Sequence, residues 1–234
     1  MDVETAKRAA GMAAAGLVDD GTSVGLGTGS TSRWFVLALA QRVRSGLRVT
    51  GVATSEATAQ LAIEEGIPLG ELDAGGLDMA VDGADAVDGD LRLIKGGGGA
   101  LVREKIVAAA ARRFVVVIDD SKLHAYLAGR VPVEVIPFGA EHTLRLLSGT
   151  GAEFSLRESN GRPAVSDNGN LLADGTFGRI EDPEGLAARL DAIPGVLGHG
   201  LFLGMADLVL VGRADGSVEQ QSPAVPSDTV AAGG

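Results

Sequence analysis

The chain has no cysteine, which excludes both a disulfide framework and a thiolate nucleophile. Aromatic residues make up only 3%, so a core has to be filled by Ala, Val, Leu and Ile, residues suited to helices packed on a largely buried sheet. Basic residues are in deficit. The 20 Lys and Arg stand against 31 Asp and Glu, a formal net charge of -11 that argues against nucleic acid as a partner. No apolar run approaches the ~18 residues of a membrane span. The opening stretch MDVETAKRAAGMAAAGLVDDG lacks the basic start of a signal peptide. A cytoplasmic location is the expectation.

What is abundant is glycine, 35 of 234 residues, about twice the ordinary share of ~7%. Many of these glycines are clustered, which points to tight loops rather than general flexibility. Hydrophobic residues reach 45% with a mean hydropathy of +0.21, so a disordered polymer is excluded. The length suffices for one large domain or two small ones.

Hydrophobic periodicity predicts an alternation of helices and strands through the first half. Helices are expected at 3–18, 33–43, 56–65 and 101–112, and strands at 23–26, 48–53, 77–81, 91–94 and 114–118. The last of these reads FVVVI, a near-continuous apolar strand, and the alternation predicts a doubly wound α/β sheet. The pattern changes near Arg130. A strand at 131–135, a helix at 140–147, strands at 153–157 and 170–173 and a helix at 183–192 suggest a small α+β insert with an antiparallel sheet. A strand at 208–211 returns to the first unit, and from Ala214 the polar sequence is expected to fray.

Four segments carry candidate chemistry. Gly25-Leu26-Gly27-Thr28-Gly29-Ser30-Thr31-Ser32 follows a strand and opens a helix, where free N–H groups and the helix dipole favour an anion. A Ser/Thr-capped glycine turn is the plainer alternative. The segment has neither the Lys-Ser/Thr of a Walker loop nor dinucleotide spacing. Asp82-Gly83-Ala84-Asp85 ends a strand and can aim two carboxylates into one cleft at the sheet edge; taken alone, an Asp-Gly turn explains it more simply. Lys95-Gly96-Gly97-Gly98-Gly99 leads directly into a helix, an entropically costly run unless a ligand needs bare backbone. Its N–H groups and Lys95 could hold an oxyanion. On the helix that follows, Glu104 shares a face with Ala100, Leu101, Val107 and Ala108. An apolar setting raises a carboxyl pKa and suits a general base, against the alternative of an ordinary surface Glu. Lys122, in Asp119-Asp120-Ser121-Lys122, falls at the same sheet edge and could answer a phosphate, as could Lys7 more weakly; taken alone, an exposed loop Lys explains it equally well. His124, His142 and His199 have no ligand spacing, so neither a metal nor another cofactor is expected. Ser166-Asp167-Asn168-Gly169-Asn170 reads as a plain hairpin turn.

In this order, GLGTGSTS, DGAD, KGGGGALVREKI, DDSK, VPVEVIPF, SDNGN and PGVLGHGLF resemble ribose-5-phosphate isomerase of the A type, from about residue 3 to about 213. The resemblance implies a Rossmann-like domain, residues 1–129 and 205–234, with a ferredoxin-like α+β insert at 130–204. It implies homodimers or homotetramers, and a cofactor-free aldose–ketose isomerisation in the non-oxidative pentose phosphate pathway. Glu104 falls on the family's catalytic base. Thr28, Gly29, Ser30, Thr31, Asp82, Gly83, Ala84, Asp85, Lys95, Gly96, Gly97, Gly98 and Lys122 fall on its substrate site. On this reading Asp82 assists ring opening, Asp85 orients a hydroxyl, and Lys95 with the N–H groups of Gly96 to Gly99 holds the enediolate. Ala86 and Gly198 stand where the family usually carries Glu. Two other readings use similar glycine loops: a sugar-phosphate sensor, which would need a DNA-binding module, and an acyl-CoA transferase, which would need a CoA site.

Overall fold

The computed structural model describes residues 3–223. Helix α1 (Val3–Gly16) precedes strand β1 (Thr22–Leu26), α2 (Ser30–Arg44), β2 (Val49–Ala53) and α3 (Glu56–Glu64). Next come β3 (Met79–Asp82), the two-residue strands β4 (Ala86–Val87) and β5 (Leu93–Ile94), α4 (Leu101–Ala110) and β6 (Phe114–Asp119). The second half runs β7 (Ala128–Val135), α5 (Ala140–Ser148), β8 (Phe154–Leu156), β9 (Glu158–Ser159), β10 (Arg162–Pro163) and β11 (Leu171–Arg179). It closes with α6 (Pro183–Asp191), β12 (Val196–His199), β13 (Leu201–Phe202), β14 (Leu208–Gly212) and β15 (Val218–Gln221).

Six strands form the central sheet, in the order β15-β14-β6-β3-β1-β2. All neighbours are parallel except the antiparallel edge strand β15. The apolar run of β6 is continuous because both faces of the sheet are covered. Val115 and Val117 enter the core beneath α1 and α2, and Phe114, Val116 and Ile118 enter the core on the α4 side, as the two-residue period of a strand dictates. Strand β14 divides likewise, with Leu208 and Leu210 on one side and Val209 and Val211 on the other.

The strand order positions the site. From β1 the chain winds outward to β2, then crosses back to β3 on the other side of β1. The loops after β1 and β3 therefore part at a topological switch point, which opens a crevice at the carboxyl ends of the strands.

A second, antiparallel sheet has the order β12-β7-β11-β8. Val131, Val133 and Val135 of β7 pack with Leu147 of α5 and with Leu186 and Leu190 of α6 in a separate core. The sheet is tied to the first unit where Lys95 donates its backbone N–H to Gly200 O and Gly200 donates to Pro132 O.

Two expectations are corrected, and two strands appear that periodicity does not predict. The strand expected at 91–94 does not join the central sheet; β5 pairs with β4 and β13 in a small three-stranded sheet. Its start is delayed because Leu91 takes a φ of 56° in a turn held by Asp88 Oδ1, which accepts from the N–H groups of Asp90 and Arg92. Strands β12 and β13 carry no clear periodicity because Gly195, Gly198 and Gly200 interrupt their apolar pattern. Lastly, the chain does not fray at Ala214. Asp215 Oδ1 accepts from Ser217 N–H, Gly216 turns at a φ of 85°, and β15 folds back on β14. The rest of the expected tail, 224–234, lies outside the described residues. Among the described residues no helix is long and apolar enough to cross a membrane.

Candidate active site

The loops after β1, β3 and β6, the turn before α4 and the start of α1 surround a cleft of about 220 Å³. Lys7, Thr28, Gly29, Ser30, Thr31, Gly83, Ala84, Asp85, Lys95, Gly96, Gly97, Gly98, Glu104 and Lys122 all line it. Asp82 is set behind this wall, 3% exposed. Val3, Asp119 and Ser121, not anticipated from sequence, also face the cleft.

One end is built for an anion. Gly29, at a φ of 116°, turns the chain from β1 into α2 in a conformation that a side chain would strain. The first backbone bond back into this turn is from Arg33 N–H to Gly29 O. The N–H groups of Ser30, Thr31 and Ser32 are thus left at the positive end of a 15-residue helix, an arrangement that attracts phosphate. Across from them, Asp119 Oδ1 accepts from both the N–H and the hydroxyl of Ser121. This fixes the 3-10 turn Asp120–Lys122 and with it Lys122, which has no carboxylate partner among the described residues. Lys7 sits 3.2 Å from Glu4 Oε1. Thr28 contributes little of its own hydroxyl, which is engaged with Thr54, Ser55 and Thr58 at 2.8, 2.8 and 3.2 Å.

The other end holds charges in a dry setting. Lys95 and Glu104 are 2% and 4% exposed. Lys95 Nζ donates to Gly83 O at 2.5 Å and lies 2.9 Å from Asp82 Oδ2 and 3.3 Å from Glu104 Oε2. Asp82 Oδ1 is oriented by the N–H groups of Thr28 and Gly83 and the hydroxyl of Ser32. Asp82 Oδ2 and Glu104 Oε2 are buried, and among the described residues the group they face is the Lys95 ammonium. Burial first, and then the Asp82 carboxylate, push the Glu104 pKa up to about 8, with Lys95 opposing. Burial disfavours charge on Lys95, yet Asp82 and Glu104 together hold its pKa above the ordinary value. Three groups in contact share one surplus negative charge when all are ionised, and Glu104 is the member that most readily takes up a proton.

The glycine turn connects the two ends. Gly96 has a φ of 102°, and a Cβ there would also lie 2.9 Å from Leu101 Cβ, so the fold itself demands glycine. Of the four N–H groups expected to hold the oxyanion, two are already engaged. Gly97 donates to Asp85 Oδ2 at 2.8 Å and Gly99 to Gly96 O at 3.0 Å. Those of Gly96 and Gly98 have no acceptor among the described residues.

The turn Ser166–Asn170 lies outside this cleft. Its Ser166, Asn168 and Asn170 side chains donate to Oε1 of the fully buried Glu134, while Arg103 holds it to α4 through Asn168 Oδ1 and Asp167 O. His199 is buried; its Nδ1 accepts from Leu201 N–H and its Nε2 lies 3.2 Å from Asp191 Oδ1. Burial and then the nearby Lys105 ammonium hold its pKa down to about 4, so it is neutral near pH 7. Among the described residues no group of three or more His, Asp or Glu converges as a metal site. Ala86 is packed with Ile94 and Leu201, and a Cβ on Gly198 would lie 3.0 Å from Val102 Cγ2; local packing suits the small residue at both positions.

Comparisons with known proteins agree on one family. The family model described as ribose 5-phosphate isomerase A (phosphoriboisomerase A) matches residues 50–216. Ribose-5-phosphate isomerase A of Sinorhizobium fredii is 49% identical over 225 residues, covering 93% of this chain and 97% of its own. That of Haloarcula marismortui is 50% identical over 215 residues, covering 91% and 94%. Among solved structures, a D-ribose-5-phosphate isomerase in complex with phospho-erythronic acid superposes with a TM-score of 0.91 at 40% identity, covering 95% of this chain and 100% of that one. Ribose 5-phosphate isomerase A of Methanocaldococcus jannaschii gives 0.89 at 40% identity, covering 94% and 100%.

Proposed function

The chain belongs to the ribose 5-phosphate isomerase A family, and we propose that its cleft performs the family's reaction with Glu104 as the single proton carrier. That reaction is the interconversion of D-ribose 5-phosphate and D-ribulose 5-phosphate in the non-oxidative pentose phosphate pathway. The observation that carries the proposal is the buried Asp82–Lys95–Glu104 cluster facing, across one small cleft, a helix N-terminus and a free lysine.

The phosphate binds Ser30, Thr31 and Lys122, with Gly29 leaving the backbone bare and Lys7 at the rim. Because the protein is strongly acidic, these local groups and not the net charge attract it. The sugar chain then extends past Asp85, Gly83 and Ala84 toward Lys95. Ring opening comes first. Asp82 does not itself line the cleft, so it assists through the Lys95 ammonium it contacts, while Asp85 orients a sugar hydroxyl. Glu104 takes the C2 proton of the open aldose, and negative charge appears on the carbonyl oxygen of C1. Lys95 and the Gly98 N–H stabilise that oxygen, a proton passes from O2 to O1, and Glu104 returns its own proton to C1. A carboxyl pKa near the working pH suits a group that must act as base and then as acid.

The same reading divides the chain into a Rossmann-like domain, residues 1–129 and 205–234, and a ferredoxin-like α+β domain, 130–204. The two separately cored sheets support this division. We also place the protein in the cytoplasm as a homodimer or homotetramer, which analytical ultracentrifugation would measure.

Purified protein given ribose 5-phosphate should form ribulose 5-phosphate at undiminished rate after exhaustive chelation, because no residue in the proposed cycle uses a metal. Acyl-CoA exchange, run in parallel, should be absent. Activity abolished by EDTA and restored by one divalent ion would count against the proposal, as would acyl exchange without isomerisation.

A further inference from the structure

The glycine turn does not hold its own shape unaided. Arg157, the residue after β8 of the second sheet, reaches across to it. Its Nε and Nη2 donate to Asp174 Oδ2 and Oδ1 at 2.8 and 2.7 Å, a bidentate fork that fixes the guanidinium plane. Its remaining Nη1 donates to Gly96 O and to Gly97 O, both at 3.1 Å. The side chain is largely buried, 14% exposed, and its backbone is held in turn by Leu172 O and Ala164 N–H.

The two carbonyls belong to two successive peptide planes. In a trans peptide the C=O and the following N–H point in opposite directions. Holding Gly96 O toward Arg157 therefore aims Gly97 N–H away from it, at Asp85 Oδ2. Holding Gly97 O aims Gly98 N–H away as well, on the side where Gly98 lines the substrate cleft. One guanidinium thus sets both the orientation of Asp85's partner and the direction of the free N–H. The geometry points to Arg157, oriented by Asp174, as a positioning residue that holds Gly98 N–H on the oxygen that becomes charged during isomerisation. This rests on the proposed role of the turn. It gives the second sheet a part in catalysis: the sheet contributes no group to the cleft, but it braces the donor.

The charge on that oxygen exists only during reaction, so a slack turn should depress kcat and spare ground-state binding. Misplacement by about 1 Å can cost up to about a hundredfold. Arg157→Lys keeps a cation near Asp174 but cannot serve the carboxylate and two carbonyls at once. Its kcat should fall at least tenfold, with KM for ribose 5-phosphate within about twofold. Phospho-erythronic acid, which carries a carboxylate at the end opposite its phosphate, should lose affinity in parallel with kcat, while competition by inorganic phosphate stays unchanged. In Arg157→Ala, guanidinium ion should restore part of kcat where an equal concentration of sodium chloride does not, since Arg157 borders a second cleft of about 840 Å³ through which the ion can enter. Wild-type kcat in Arg157→Lys would overturn the assignment. So would equal losses in kcat and in inorganic phosphate affinity, which would mean that the fold and not the turn had been damaged. The Glu104→Gln variant separates this from the family reading: if it kept its turnover, the proton carrier would be wrong and the brace could still stand. An inactive Glu104→Gln beside a fully active Arg157→Lys would remove the brace alone.

Discussion

At the scale of single residues, the chemistry depends on where each proton and charge resides. Glu104 must be ionised to act as a base, and burial holds its pKa up to about 8. The acid limb of kcat/KM, which reports the free enzyme, should therefore fall near pH 8, well above an ordinary carboxyl and above the ~6 of the substrate phosphate. Stability should carry the same signature. The folded state keeps the Glu104 proton up to about pH 8, while the unfolded chain releases it near 4.5. That contribution is complete below about 4.5 and is lost as pH rises through 8. Glu104→Gln should flatten the decline in Tm over this window; an unchanged decline would mean that the carboxyl is not so perturbed. The two lysines should separate in kinetics. Lys122→Ala removes an attraction present in ground and transition states alike and should raise KM at nearly constant kcat. Lys95→Ala removes the partner of charge that develops only during reaction and should lower kcat about a hundredfold. It should also destabilise the fold by roughly 3–5 kcal/mol, because the buried Asp82 carboxylate loses its counter-ion. Changes in KM alone for both variants would leave the oxyanion without Lys95.

At the scale of elements, the turn at 96–99 shows which glycines serve the fold and which the ligand. Gly96 is dictated by its φ of 102° and by Leu101, so Gly96→Ala should cost more than about 1 kcal/mol in a thermal or denaturant melt. Gly98 is under neither constraint: it is absent from the positive-φ residues, and a Cβ there would meet only Thr28 Cγ2, at an ordinary 3.5 Å. Gly98→Ala should fold normally yet lose kcat/KM at least tenfold, as the methyl group enters the cleft beside the free N–H. A fully active Gly98→Ala would show that bare backbone is not needed there. The helices and the long strands of the central sheet were legible because periodicity and burial agree in them: FVVVI at 114–118 could scarcely be anything but a doubly covered strand. The short elements were not. β4, β12 and β13 are interrupted by glycine or span two residues, and they exist because partners distant in sequence pair with them. β15 did carry a readable signal in Asp215-Gly216, a hairpin dipeptide, which the polarity of its neighbours obscured.

At the scale of the whole molecule, two sheets with separate cores meet at one cleft. The parallel sheet supplies the helix N-terminus, Asp82 and Asp85 from its switch point, and the antiparallel sheet braces the turn between them. Most of the cleft could be anticipated from sequence because each contributing loop advertises itself: glycines before a helix, carboxylates at a strand end, a Glu on an apolar helix face. What could not be read was how the loops use one another. Nothing in the order of residues shows that Asp82 would stand behind the wall holding Lys95, that Gly97 N–H would be engaged by Asp85, or that Arg157, about sixty residues away, would grip the glycine carbonyls. Those are consequences of tertiary placement. All of it converges on one carboxyl group, so the most direct test is proton exchange at C2 in deuterated water, measured on folded Glu104→Gln. Gln preserves the shape and the helix propensity but cannot accept the proton, and phosphate contacts at Ser30, Thr31 and Lys122 should keep KM close to wild type. Loss of a positioned base typically costs ~10²–10⁴-fold, so kcat should fall at least about a hundredfold and deuterium exchange should vanish with it. A folded Glu104→Gln protein that exchanges C2 hydrogen and keeps more than about a tenth of its turnover would place the base elsewhere, with Asp85 the next carboxylate in the cleft.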